Sequence, residues 1–401
     1  MANETFDVAI GLRRDVMDRA VAKLHGQLYA KYFKGSTDAG SGRQVFWDVK
    51  VAPKFDFSPD ALLDGKTLKV QFKDIGITIR SSKGEAVTTA DATVWVTYVV
   101  EYPTGKPPEI KFSVKETKAS TPKPDDQYIL NAVVIPAMKK LAAQVMSAVQ
   151  LPPIVEVFGQ KFTLPEPFII GDNFVFLANM LHRHFPLGFD ATLPPGNPEA
   201  FAVLSPQLAL QAWNGFNAAT KDLKVEERRN GRVETPVQNI DYDAILQVKD
   251  IKGQILQGTE IPVTASVSGF GHVWANTALG TVDVPLTLTP QPQPSGKIGL
   301  GVVGNKVRAA ITQIDSFQIQ LDFTGSGIID WLLNLFKGVF QMLIDLYTPW
   351  LRGYFLKLGY DVWTIPDLSW SYDGARLDIK LTDLRLSPYG SHYHVTGKVQ
   401  L

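Results

Sequence analysis

The sequence predicts an α+β fold in two tandem halves that repeat one order of elements. Three observations support this prediction: one long helix that is apolar around most of its circumference, long runs of alternating apolar and polar residues, and a weak internal repeat. A chain of 401 residues is long enough for two domains or one large one. We expect the boundary in the proline-rich region 165–198, with the halves at residues 1–165 and 166–401.

The first half is expected to open with a short strand that leads into an amphipathic helix, across residues 3–33. Apolar side chains at helical spacing share one face of this helix: Val16, Ala20, Leu24 and Leu28. A glycine- and serine-containing loop follows at 36–42. Long strands are then expected at residues 45–57, 68–79, 87–102 and 110–117.

Two local signals refine this first sheet. The alternation of apolar and polar residues shifts by one position after Phe72, which predicts a β-bulge near Asp74. Prolines and a glycine at 103–108 predict a turn between the last two strands. A second helix is expected to begin at Asp125 and to end at the prolines of 151–153.

The second half repeats the same order. A helix is expected to start from the segment at Phe201 and to run to about Leu223, and residues 233–323 are rich in strand-forming residues. Near the C-terminus, alternating apolar residues around Ile379 predict a further strand. Turns are expected at Asn230–Gly231, across residues 290–296 and at Gly304–Asn305.

The longest predicted helix covers residues 328–358. Its polar residues recur at steps of three or four and therefore form one narrow stripe. These are Asp330, Asn334, Lys337, Gln341, Asp345, Thr348 and Arg352. All its other side chains are expected to be hidden from water by protein, by a membrane or by a bound hydrophobic molecule. The charges recur too often for a membrane-spanning helix, which needs about 20 mostly apolar residues, so we expect a central helix that a sheet surrounds.

The internal repeat is visible at the level of residues. Val8–Ala20 aligns without gaps on Ala200–Ala212, and each segment runs from an apolar strand into a helix. The matched pairs are Leu12 with Leu204, Val16 with Leu208, and Ala20 with Ala212. We interpret the repeat as a duplication; the alternative is two unrelated α+β domains that share common parts.

These segments also carry a resemblance to a known superfamily. Residues 9–20 and 202–213 look like its opening segment, and the prolines at 151–154 and 365–368 look like its turn after the second helix. In this pattern of elements, which spans nearly the whole chain, the sequence resembles the tubular lipid-binding (TULIP) superfamily, which includes the bactericidal/permeability-increasing protein.

The resemblance implies two TULIP-like halves, each a long curved antiparallel β-sheet wrapped around long α-helices. In that superfamily the groove between sheet and helix holds lipid tails. Antibacterial members use a basic tip and a disulfide, and this chain lacks both. It is more similar to the bacterial branch, which includes accessory proteins encoded beside protein toxins.

Composition limits the classes of partner. Lys and Arg together number 40, as do Asp and Glu, so the net charge is zero. This balance argues against a nucleic-acid partner and against binding of anionic lipid by a polybasic segment. The absence of cysteine excludes disulfides, thiolate zinc sites and a cysteine nucleophile. The first residues include acidic side chains and no long apolar run, so we expect no secretory signal. A cytoplasmic location is the default expectation, and leaderless release is left open.

Motifs that could carry chemistry have simpler interpretations. Gly299–Gly304 matches a dinucleotide-binding pattern, but strand-like residues follow it, so a hairpin turn is favoured. The pairs His182/His184 and His392/His394 could bind metal, but no carboxylates accompany them, and solvent-facing or sheet-tip histidines are favoured. The acidic pairs at 125–126 and 226–227 lack the separated environments of a general acid and base. We therefore expect no enzyme, no cofactor and no metal.

Two functional hypotheses remain. The first is a non-enzymatic carrier of a lipid or another hydrophobic molecule, bound between helix and sheet, with transient membrane contact possible. Its candidate contacts are Val16, Ala20, Leu24, Val133, Leu141, Leu332, Leu335, Phe336, Val339, Phe340 and Leu343. The second is an accessory subunit of a larger, toxin-associated assembly, in which large aromatic side chains fill the groove.

Overall fold

A computed structural model describes most of the chain. The described residues are 5–58, 67–101, 109–121, 127, 131–132, 135–136, 139, 156–157, 160–162, 166–182, 188–220, 224–235, 238–253, 260–278, 280–323, 330–365, 368–372 and 375–401. The predicted turn at 103–108 and most of the predicted helix from Asp125, including Val133 and Leu141, lie outside them.

The described helices are α1 (Arg14–Leu28), α2 (Pro206–Thr220) and α3 (Asp330–Lys357), and a π-helical turn, Tyr29–Phe33, follows α1. The strands up to the start of α2 are β1 (Val8–Arg13), β2 (Lys34–Asp38), β3 (Gln44–Asp48), β4 (Lys54–Phe55), β5 (Thr67–Ser81), β6 (Gly84–Glu101), β7 (Glu109–Ser120), β8 (Glu156–Val157), β9 (Gln160–Lys161), β10 (Glu166–Ile170), β11 (Asn173–Ala178) and β12 (Ala200–Leu204).

The later strands are β13 (Val225–Glu234), β14 (Asn239–Gly253), β15 (Glu260–Thr277), β16 (Gly280–Gln291), β17 (Ser295–Val303), β18 (Lys306–Ile314), β19 (Gln318–Phe323), β20 (Gly359–Thr364), β21 (Leu368–Tyr372), β22 (Ala375–Tyr389) and β23 (His392–Gln400). Every strand pairing for which the residue register is given is antiparallel. The fold is therefore α+β with antiparallel sheets, as predicted at that level.

The chain forms two compact units. The first contains residues 1–205, 365–387 and 394–401, and the second contains 206–364 and 388–393. The boundary expected at residues 165–166 falls inside the first unit, because β11 and β12, which follow it in the chain, pair with β1. Strands from the C-terminal end of the chain belong to this unit as well.

One sheet of the first unit has the order β2-β3-β5-β6-β7, with β4 also paired to β5. The register between β5 and β6 shifts between Phe72 and Ile75, and Asp74 has a φ of 52°. This confirms the predicted bulge, because one extra residue restores the buried side of the strand after Asp74. Apolar side chains of this sheet pack against Leu28 and Phe33 from the helical segment before it.

A second sheet in the first unit brings the two repeated segments together. Its order is β10-β11-β1-β12-β23-β22-β21. In the antiparallel pair of β1 and β12, Ile10 lies opposite Ala202, which is also its equivalent in the sequence repeat. On one side of this pair lies the β10–β11 hairpin, and on the other lie β23 and β22.

The second unit contains an eight-stranded sheet with the order β13-β14-β15-β17-β18-β20, in which β16 pairs with both β15 and β19. Along one edge of β15, residues 269–277 pair with β16 and residues 260–264 pair with β17. The sheet is therefore split where β15 changes partner. Helix α3 packs against this sheet through β14, β18 and β19.

The structure corrects one predicted turn and moves a helix start. Asn230 and Gly231 lie within β13, and the chain reverses after Glu234 instead. A Cβ atom at Gly231 would lie 2.8 Å from the hydroxyl oxygen of Tyr242, so glycine serves here to let this side chain cross the strand. The segment at Phe201 is a strand, β12, and α2 begins only at Pro206.

Candidate functional site

The buried face of α3 is the first component of the candidate site. Phe336, Val339, Phe340 and Leu343, all predicted contacts, are at most 8% exposed. Farther along the helix the same face continues with Tyr347, Leu351 and Phe355, which are also buried. The polar side chains described at Lys337, Gln341, Asp345 and Arg352 are exposed. The predicted polar stripe is thus confirmed for these four.

The prediction that all other side chains of this helix are hidden is wrong, and two leucines show this most clearly. Leu346 is 39% exposed and Leu356 is 53% exposed. The helix therefore lies on the sheet with one side toward solvent, rather than being surrounded along its described length. A helix that packs on a sheet along one side needs only one apolar face, and its opposite side can contact water.

Aromatic side chains fill much of the space beneath α3. The ring centroids of Phe323 and Phe340 are 4.6 Å apart, and those of Phe336 and Phe340 are 6.0 Å apart. Near the other end of the helix the rings of Trp350 and Tyr354 are stacked at 5.8 Å. Large rings bury about 150–250 Å² each, so they occupy volume that a ligand would otherwise use.

Tyr347 fixes the middle of α3 to the sheet. Its hydroxyl donates a hydrogen bond to the main-chain oxygen of Ala244 at 2.6 Å and lies 3.3 Å from that of Glu227. Burial raises the pKa of Tyr347 above its ordinary value, so the hydroxyl keeps its proton and remains a donor. This contact aligns the helix with β13 and β14.

An apolar cleft lies at the C-terminal end of α3. Its empty space of about 230 Å³ includes open solvent, and the cavity itself has a volume of only about 10 Å³, which is about that of one water-sized sphere. Phe355 forms one wall, and among the described residues the side-chain hydroxyls in the lining belong to Thr264 and Ser295. The described lining is Ile251, Val263, Thr264, Ala265, Pro294, Ser295, Gly296, Ile311, Ile314 and Phe355.

The cleft occupies the place where the sheet is split. Thr264 and Ala265 belong to β15, and Ser295 and Gly296 begin β17. Gly296 is required at this point because a Cβ atom would lie 2.1 Å from the main-chain oxygen of Gln313. The hydroxyl of Ser295 is held by the carboxylate of Asp315 at 2.6 Å.

The predicted contacts from the first half lie elsewhere. Val16 is buried against Ala200 and Val399. Ala20 is half-buried, and half-buried Leu24 packs on the cluster that contains Leu28 and Phe33. None of these three lines the cleft.

The remaining predicted contacts belong to the second half or fall outside the description. Phe336, Val339, Phe340 and Leu343 meet in one core, but they do not line the cleft either. The side chains of Leu332 and Leu335 lie outside the described residues. Sequence reasoning missed the lining from β14, β15, β17 and β18, although the proline-rich segment at 290–296 marked the place where the sheet is interrupted.

His184, and with it the pair His182/His184, lies outside the described residues, and the described histidines give no metal centre. In the described part of the chain, no three His, Asp or Glu side chains are grouped closely enough to hold an ion. His394 is buried at 1% exposure, so it does not face solvent. His392 and His394 both lie at the start of β23 directly after a turn, which agrees with the alternative prediction of sheet-tip histidines. The pattern Gly299–Gly304 ends in the predicted hairpin turn, with Gly304 at a φ of 63°. Within the same described ranges, no helix is both long and apolar enough to cross a membrane.

Comparisons with known proteins find similarity to solved structures alone. No protein-family model and no curated protein matches the chain. P47 of Clostridium botulinum E1 is 10% identical, with a TM-score of 0.47, over 99% of this chain and 100% of that chain. P47 from Clostridium botulinum A2 is 10% identical, with a TM-score of 0.47, over 98% and 97%.

A lipopolysaccharide binding protein is 13% identical to this chain, with a TM-score of 0.35, over 99% of both chains. At these identities and TM-scores, the three similarities assign the chain neither a family nor a function.

Proposed function

We propose that the chain is a non-enzymatic binding protein for a single-chain hydrophobic molecule, such as a fatty acid or the tail of a lipid. The observation that carries this proposal is the apolar cleft at Phe355, which opens to solvent beneath a split sheet. The resemblance of the sequence to tubular lipid-binding proteins supports the same class of ligand.

The size of the cleft limits the ligand. Its cavity of about 10 Å³ is far below the roughly 300–1,000 Å³ that is usual for small-molecule pockets, so a tail can enter only if the walls of the cleft move apart, and the bound part is expected to be thin. Burial of each methylene contributes about 0.8 kcal/mol. Four methylenes would thus contribute about 3 kcal/mol, which alone is weaker than millimolar affinity. The rest of the ligand must therefore gain affinity outside the cleft.

The polar edge of the cleft suggests where a head group would lie. Thr264 is exposed, and its hydroxyl can donate to a carboxylate or an ester oxygen. Ser295 is already engaged by Asp315. We therefore place the tail toward Phe355 and the head group near Thr264.

Solvent extraction and mass spectrometry of the purified protein test the proposal, together with titration by a fluorescent fatty acid. Ala265→Met should fill the cleft and weaken binding at least tenfold, because the side chain of Ala265 is buried on the cleft side of β15. Ser266→Met is the matched control, since the next side chain on β15 is exposed. A protein with no extractable lipid and no saturable uptake would contradict the proposal.

A second candidate function is an accessory subunit of a larger assembly, with its groove packed shut. The aromatic packing around Phe340 and the exposure of Leu346 and Leu356 favour it. Size-exclusion chromatography and pull-down from the native source distinguish the two. A stoichiometric protein complex that lacks lipid would favour the accessory subunit, and a lipid-loaded monomer would favour the binding protein.

A further inference from the structure

The split in the second-unit sheet leaves a short stretch of β15 without a partner strand on one edge, while the other edge stays paired with β14. Residues 269–277 pair with β16 and residues 260–264 with β17, and the link between these partners contains Pro292 and Pro294. Proline has no N–H, so the link can contribute little to a strand ladder through its main chain. The main-chain oxygen of Pro294 still accepts from the N–H of Ala265 at 2.8 Å.

A side chain completes the ladder at this point. The N–H of Val267 donates to Oε1 of Gln293 at 2.8 Å, and Nε2 of Gln293 donates to the main-chain oxygen of Val267 at 3.0 Å. The amide of Gln293 thus makes the pair of hydrogen bonds that a strand residue would make. Few other side chains can do this, because it needs a donor and an acceptor on one planar group.

This amide pair lies at the edge of the candidate cleft. Thr264 and Ala265 on one side of the split, and Pro294 and Ser295 on the other, all line the cleft. Gln293 itself is exposed, so its side chain can leave Val267 without creating a cavity in the core.

We propose that Gln293 is a latch that controls admission of the hydrophobic ligand through the split between β16 and β17. Release of its amide from Val267 removes two of the hydrogen bonds that hold the link at 292–294 to β15. Once the bond from Ala265 to Pro294 also opens, the link can move away from β15 and uncover the apolar walls below. The proposal rests on the proposed function for the identity of what enters, but the opening itself can be measured without a ligand.

A thiol reporter tests the opening. The chain has no cysteine, so Ile314→Cys gives a single thiol at a half-buried position that lines the cleft. Loss of two hydrogen bonds should raise the population of the open form about tenfold or more. In this background, Gln293→Ala is expected to speed maleimide labelling by about that factor. Gln291→Ala, at an exposed position in β16, should leave the rate unchanged.

Gln293→Met distinguishes the loss of the two hydrogen bonds from the loss of side-chain volume. Methionine has a length similar to that of glutamine but cannot form the two amide hydrogen bonds. The variant should label as fast as Gln293→Ala if the hydrogen bonds form the latch. Acceleration by alanine alone, or equal rates in all variants, would overturn the proposal. Circular dichroism and thermal unfolding confirm that each variant is folded before its rate is used.

Stopped-flow uptake of a fluorescent fatty acid tests whether opening of the latch at Gln293 limits the rate of ligand binding. Gln293→Met should raise the association rate about as much as the labelling rate and change the equilibrium affinity less than twofold. Uptake that stays slow in spite of fast labelling would place the access route elsewhere and overturn the role of Gln293. If wild type binds no fatty acid, the proposed function fails, while the labelling rates still decide whether the split opens.

Discussion

At the scale of single residues, Tyr347 is the contact whose removal should be most informative. Tyr347→Phe keeps the ring in the core but removes the hydrogen bond to the main-chain oxygen of Ala244. We expect the free energy of unfolding to fall by about 1–2 kcal/mol. Urea denaturation measures this change, and Tyr360→Phe, at an exposed tyrosine, is the control. Equal effects of the two substitutions would show that the buried hydroxyl adds no stability.

Asp56 provides a second residue-scale prediction, in which pH is the variable. Burial opposes its ionisation, but hydrogen bonds from Lys69 and Ser58 outweigh burial and lower the pKa of Asp56 to about 2. A carboxylate with a depressed folded-state pKa stabilises the protein above its unfolded pKa of about 4, and this contribution is lost as pH falls toward 2.

We expect Asp56→Asn to lower stability by about 1–2 kcal/mol at pH 7 and to flatten the change in stability between pH 4 and 2. Urea denaturation at several pH values measures both effects. The more exposed pair of Asp383 and Lys398 offers a control, since Asp383→Asn should have the smaller effect at pH 7. A pH profile of Asp56→Asn that parallels wild type would rule out this account.

At the scale of elements, α3 presents two leucines three positions apart in opposite environments. Leu343 is fully buried and Leu346 is 39% exposed. Leu343→Ala should therefore lower the free energy of unfolding by about 2–5 kcal/mol, and Leu346→Ala by much less. Fatty-acid affinity of the folded Leu343→Ala protein should change less than twofold if Leu343 is core rather than ligand contact. A loss of fatty-acid affinity without a matching loss of stability would indicate that Leu343 contacts the ligand, as the sequence analysis predicted.

Sequence reasoning succeeded for elements whose cause is local. The bulge at Asp74 and the hairpin turn at Gly304 follow from a phase shift and from turn residues, and both are present. It failed at Gly231, where the requirement for glycine comes from Tyr242 on the neighbouring strand. The exposure of Leu346 was also unpredictable, because the number of sheet layers around a helix is a tertiary property.

For the candidate site, too, sequence reasoning found the features that local spacing determines and missed those that depend on strand order. The apolar face of α3 was evident from spacing, and Phe340 and Leu343 are buried on it. The wall opposite Phe355 was not evident, because its residues come from four strands whose order cannot be obtained from one sequence. The prolines at 290–296 mark where the sheet is interrupted, but the side-chain pairing of Gln293 depends on which residue of β15 lies opposite, and no local pattern gives that residue.

At the scale of the whole molecule, the thin cleft predicts how affinity depends on the ligand. In a series of saturated fatty acids, each added methylene should tighten binding about fourfold until the cleft is filled. Beyond that length the affinity should level off. Displacement of a fluorescent fatty acid measures the series. Affinity that is independent of chain length would mean that the tail does not enter the cleft.

The balance of 40 basic and 40 acidic residues leads to a prediction about membranes. Without net charge, any association with lipid surfaces should depend little on anionic lipid or on salt. Co-sedimentation with phosphatidylcholine vesicles, with and without phosphatidylglycerol, measures this at low and at physiological ionic strength. Strong binding to the anionic vesicles alone would point to a local basic patch that the overall composition hides.

The pairing of β1 with β12 has a consequence for the history of the chain. Ile10 faces Ala202, so β1 lies antiparallel to, and in register with, the strand that the sequence alignment predicts to be its repeat equivalent. That arrangement has the geometry of a self-complementary contact between two identical copies. If one half was once a separate polypeptide, two such polypeptides could have associated through this strand. Joining their genes would then have turned an association that depends on concentration into a permanent one, and each copy could have diverged without losing its partner.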